Sequence, residues 1–89
     1  MLRKKIVISD KLGIHMRFAT KIVKACSGIE SKITIIHGIM EAKGTSIIEL
    51  VVLEAVCGTE VEIVADGNDE SEAMEKIREV FESAVLVHG

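Results

Sequence analysis

The stretch Ser46-Ile47-Ile48-Glu49-Leu50-Val51-Val52-Leu53-Glu54 decides the fold, because its apolar run suits either a buried strand or a short helix. Periodicity alone does not separate the two. Ser46 tips the reading towards helix, since a serine hydroxyl at an N-cap accepts an N–H that the first helical turn leaves unpaired. A short helix after Ser46 leaves strands on either side of it.

Upstream, residues 32–37 (Lys-Ile-Thr-Ile-Ile-His) are rich in β-branched side chains, and residues 39–43 can return antiparallel through a turn centred on Gly38. Downstream, Glu60 to Ala65 alternates charged and apolar residues between Gly58 and Gly67, which predicts another strand. At the N-terminus, residues 2–9 place Leu2, Lys4, Ile6 and Ile8 on one face and Arg3, Lys5, Val7 and Ser9 on the other, the pattern of an edge or near-edge strand. Phe18, Ala19, Ile22, Val23 and Cys26 then recur at helical spacing before Gly28 stops them. The last helix is the clearest: Asp69 and Glu72 form a candidate capping box, and Ala73, Met74, Ile77, Val80, Phe81, Ala84 and Val85 make one apolar stripe. The resulting order is β-α-β-β-α-β-α, an α+β arrangement with an antiparallel sheet and its helices on one face.

Composition narrows the function classes. The 89 residues with 48% apolar content leave room for one domain over 1–89, and no internal repeat or low-complexity tract interrupts it. A net charge of −3 and only two aromatic side chains argue against nucleic-acid binding, which needs basic surface and stacking platforms. The basic start Met1–Lys5 precedes too short an apolar run for a signal peptide, and Glu49 and Glu54 interrupt the most apolar later segment, so no membrane span is expected. Cys26 and Cys57 read as free thiols of a reducing, cytoplasmic protein. As metal ligands, His15, Cys26, His37 and Cys57 lack the paired short spacing of a zinc site, so neither metal nor cofactor is expected.

The chemistry concentrates in Gly13-Ile14-His15-Met16-Arg17-Phe18-Ala19-Thr20, where a glycine-containing loop runs into the first helix. At such a junction the leading backbone N–H groups have no intrahelical partner and the helix dipole favours an anion. A neutral imidazole at His15 offers an unprotonated nitrogen to attack phosphorus, and Arg17 can hold the same anion through a forked, charge-assisted pair of hydrogen bonds. The competing reading is a helix cap beside a solvated charge. His37 by the hairpin turn and His88 near the end read as solvated bystanders.

The segment Lys11–Thr20 closely resembles the active-site segment of the histidine-containing phosphocarrier (HPr) family of the bacterial sugar phosphotransferase system. Lys43-Gly-Thr-Ser-Ile-Ile48 is similar to that family's regulatory-serine segment. Gly58–Gly67 resembles its fourth strand and the following turn, and Asn68–Ala73 the start of its last helix. The resemblance implies an open-faced sandwich with sheet order 1-4-2-3 covered by three helices. It also implies that His15 accepts a phosphoryl group on Nδ1 from phosphorylated enzyme I, ultimately from phosphoenolpyruvate, and passes it to enzyme IIA domains of sugar permeases. Arg17 would neutralise the phosphate, and Ser46 would match the serine phosphorylated by a dedicated kinase (HPr kinase/phosphorylase).

Docking to such partners is expected on an apolar patch of Phe18, Ile47, Ile48 and Val51, rimmed by the basic side chains of Arg17, Lys21 and Lys24. Nothing in the chain demands more than a monomer. It departs from the resembled pattern at Phe18, where proline is usual, at Met16, where a small residue is usual, and at Glu49 and Glu54, where glycine is common. The rival reading from another class is an HPr-like regulatory module that binds partners without carrying phosphate. A metal-binding or nucleotide-regulated enzyme fragment is disfavoured by the lack of a glycine-rich phosphate loop followed by Lys-Ser/Thr, of zinc-type pairing and of a second catalytic group with an evident role.

Overall fold

A computed structural model describes residues 1–87, with side chains through residue 82. It runs through strand β1 (Leu2–Val7), helix α1 (Met16–Cys26), strands β2 (Lys32–His37) and β3 (Met40–Lys43), helix α2 (Ile47–Val52), strand β4 (Glu60–Asp66) and helix α3 (Glu70–Val87). The strands form one antiparallel sheet in the order β1-β4-β2-β3. Ambiguity at residues 46–54 is resolved as helix: Ser46 caps α2, its hydroxyl accepting the Glu49 N–H at 3.2 Å.

Period-2 alternation decides which face of the sheet is covered. Val61, Ile63 and Ala65 of β4 are buried together with Ile33 and Ile35 of β2 and Ala42 of β3. On the facing helices Phe18, Ala19, Ile22 and Cys26 of α1, Leu50 of α2 and Ala73, Met74, Ile77 and Phe81 of α3 complete the core. Helix α1 contacts both α2 and α3. The opposite face carries polar side chains, among them Arg3 and Glu62, which pair across β1 and β4 at 2.9 Å. Ala84, Val85 and His88 of the sequence reading lie outside the described side chains.

Several boundaries shift for identifiable reasons. The hairpin turn takes Ile39 as well as Gly38, whose φ of +62° suits glycine; Ile39 is 98% exposed and β3 starts at Met40. Strand β1 ends at Val7, although Ile8 continues as a buried residue bonded to the 58–59 turn. Helix α2 stops at Val52 because Glu54 turns into left-handed backbone at φ +53°.

Asp69 does not make the expected capping box. The α3 ladder begins at its carbonyl, with Ala73 N–H donating at 2.8 Å, but its carboxylate accepts the amides of Glu30 and Ser31 at 2.9 and 2.8 Å and also the Ser31 hydroxyl. Those donors sit just before β2, so the side chain ties α3 to the sheet instead of to its own first turn. His37 is likewise no bystander: its Nδ1 lies 2.9 Å from the Leu53 carbonyl. A carbonyl only accepts, so Nδ1 carries the proton and His37 closes the C-terminal end of α2.

Candidate functional site

The loop between β1 and α1 is assembled by backbone. Asp10-Lys11-Leu12-Gly13 forms a tight turn in which Gly13 N–H donates to the Asp10 carbonyl at 2.9 Å and Leu12 N–H to the Asp10 carboxylate Oδ1 at 2.9 Å. Gly13 has φ +70°, and Ile14 N–H donates to the carbonyl of Ala55 in the loop after α2 at 2.9 Å. The loop is thereby pinned to the segment that follows α2, immediately before His15.

His15 is the N-cap of α1, with extended backbone (φ −107°, ψ 179°), and its carbonyl accepts the first helical bond from Ala19 at 2.8 Å. The amides of Met16, Arg17 and Phe18 therefore precede that ladder, where an anion is favoured. The His15 ring makes no hydrogen bond to the helix amides. Instead its Nε2 lies 3.4 Å from Oδ2 of Asp10, whose side chain is only 5% exposed while that of His15 is 25% exposed. Arg17 stands in the same first turn and is exposed.

The residues expected to form the docking patch divide. Phe18 is 2% exposed, so it is a core residue and not part of a surface: its ring packs edge-to-face on Phe81, centroids 5.0 Å apart at 66°. Ile47 and Val51 are half-buried against the core, whereas Ile48 is 76% exposed. The exposed apolar side chains near Ile48 in the sequence are Val52 and Val56, and those flanking His15 are Leu12 and Met16. Lys21 is half-buried and Lys24 exposed, in the last turn of α1.

Ser46 has a local task, capping α2. Glu49, three residues on, reaches back with its carboxylate to the Lys43 amide at 2.9 Å, so this departure from the resembled pattern braces the turn before α2. Cys26 is buried, which pushes its thiol up, and Cys57 is exposed; both are free. Among the described residues no group of three or more His, Cys, Asp and Glu side chains is placed to hold a metal, and no helix is long and apolar enough to cross a membrane.

Sequence reasoning passed over Asp10 and Ala55. Asp10 carried a usable signal, because aspartate at the first position of a turn with glycine at the fourth is a turn signature that places its carboxylate over the following backbone. Ala55 carried none, since its part is played by a carbonyl.

The family model of the PTS HPr component phosphorylation site matches residues 2–83. The phosphocarrier protein HPr of Mycoplasma capricolum is 34% identical over 89 residues, covering all of both chains. The phosphocarrier protein NPr of Shewanella violacea is 33% identical over 85% of this chain and 84% of its own. The crystal structure of an HPr from Thermoanaerobacter tengcongensis superposes with a TM-score of 0.89 at 29% identity, covering 96% of each chain.

Proposed function

The chain belongs to the HPr family of phosphotransferase-system phosphocarriers, and from that premise we propose that it carries a phosphoryl group on His15, taken from phosphorylated enzyme I and delivered to enzyme IIA domains in sugar uptake. The observation that carries this reading is the position of His15: its ring is partly exposed at the N-cap of α1, with Arg17 in the first turn beside it. An incoming phosphoryl group meets unpaired amides, the positive end of the helix dipole and a guanidinium. Phosphoryl transfer depends chiefly on such positioning and charge neutralisation.

The transfer is a displacement in which the lone pair of a ring nitrogen forms the new bond to phosphorus while the donor's bond to phosphorus breaks and its electron pair leaves with the donor. Arg17 neutralises the negative charge of the phosphoryl group that His15 takes up. Partners dock over Ile48, Val52, Leu12 and Met16, exposed apolar side chains on the segments around the site, with Arg17 and Lys24 meeting acidic groups. In this reading the protein works in the cytoplasm as a monomer. A phosphorylated Ser46 would add about two negative charges where α2 begins, which a dedicated kinase would use to weaken the same docking.

The experiment is incubation with phosphoenolpyruvate and an enzyme I, followed by mass analysis. An acid-labile phosphoryl adduct mapping to His15, absent in His15→Ala and slower to form in Arg17→Ala, is expected. Labelling of a folded His15→Ala protein would overturn the assignment.

A further inference from the structure

We propose that Asp10 is a positioning residue for His15: it holds the ring in the tautomer whose Nδ1 is free to attack, and it balances the positive charge that the ring gains when Nδ1 is phosphorylated. This rests on the reading of His15 as the carrier. A carboxylate oxygen accepts hydrogen bonds and does not donate them, so the 3.4 Å approach of His15 Nε2 to Asp10 Oδ2 puts the ring proton on Nε2. In the neutral ring the lone pair is then on Nδ1. The 3.4 Å separation is long, as is common in a resting site whose hydrogen bonds tighten when substrate arrives.

Two features fit Asp10 to this role. Its other oxygen, Oδ1, is engaged by the Leu12 amide at 2.9 Å, which fixes the carboxylate plane, and the side chain is 5% exposed, which shields its interaction with the ring from water. In the forward step the Nδ1 lone pair forms the bond to phosphorus and the donor's bond breaks, its electron pair leaving with the donor. Nε2 keeps its proton throughout, so the ring becomes cationic opposite the Asp10 carboxylate. On delivery the Nδ1–P bond breaks and its electron pair returns to Nδ1. The arrangement has the logic of a carboxylate that orients a histidine without itself taking the proton.

The test begins on the wild-type protein with nitrogen NMR of the neutral His15 ring, where a protonated Nε2 and a bare Nδ1 are expected. A ring protonated on Nδ1 overturns the proposal with no mutant needed. Asp10→Asn can keep its oxygen on the Leu12 amide while presenting an NH2 donor to Nε2, so the proton should move to Nδ1 and the rate of phosphorylation by enzyme I should fall about tenfold or more. Asp10→Ala, which offers neither donor nor acceptor, should give mixed tautomers and an intermediate rate, and it serves if Asp10→Asn does not fold. A rate loss with the tautomer unmoved, or a moved tautomer with an unchanged rate, overturns the role. A wild-type protein that is never labelled on His15 refutes the carrier reading instead, while the tautomer measurement remains interpretable.

Discussion

Gly13 and Ala55 meet backbone to backbone: a Cβ at residue 13 would lie 2.3 Å from the Ala55 carbonyl oxygen, the same oxygen that accepts the Ile14 amide. Two elements far apart in the chain are held at this point, immediately before His15. Gly13→Ala adds left-handed strain at φ +70° to that clash. Together these cost about 2–4 kcal/mol, read as a lower denaturation midpoint. Phosphorylation of His15 should fall further than the folded fraction explains; equal losses would show that the loop's placement does not govern the site.

Glu54 adopts φ +53° just past the end of α2, a conformation that costs a side chain with a Cβ and suits glycine. Its carboxylate also stands near the negative end of the α2 dipole. Glu54→Gly should therefore stabilise the protein by up to about 1 kcal/mol, seen as a higher melting temperature. A lower melting temperature would contradict the strain assigned to this residue.

The Ser31 hydroxyl, followed by the Glu30 and Ser31 amides, donates to Asp69 and holds its carboxyl below the ordinary value of 3.8. A depressed folded-state value means that the unfolded chain takes up the proton first as pH falls. The stabilisation is thus complete above 3.8 and lost as pH drops through the lower folded value. Asp69→Asn should be less stable than the wild type at pH 7, with the gap closing in acid. Denaturant titrations at neutral pH and well below the carboxylate range check this, and a gap that stays constant would remove Asp69 from the acid response.

Phe18 and Ile48 should separate folding from docking. Phe18, in edge contact with Phe81, lies in the core, and Phe18→Ala should destabilise by about 3–5 kcal/mol. Ile48 is 76% exposed, so Ile48→Glu should alter stability by no more than about 0.5 kcal/mol while weakening binding to enzyme I. Titration calorimetry with enzyme I reads the second effect, and unchanged affinity would take Ile48 out of the docking surface.

Much of this was legible in the residues. The alternation of β4, the β-branched run of β2 and the apolar stripe of α3 are local patterns that solvent partitioning alone imposes, and with Ser46 as a cap they lead to the observed element order. His15 and Arg17 were legible as a candidate site because a helix N-terminus supplies its charge preference locally.

What the sequence by itself determined was therefore each element's type and inward face, since periodicity and capping act over a few residues. Tertiary structure alone decided the partners. It set Phe18 against Phe81, sent the Asp69 carboxylate to Ser31, set His37 under the end of α2 and brought the Ala55 carbonyl to the histidine loop. Each of these contacts joins segments separated in the chain, and buried donors and acceptors must be satisfied wherever packing leaves them. Asp10 belongs to both levels: its turn was readable, but its burial beside His15 is a property of the folded chain.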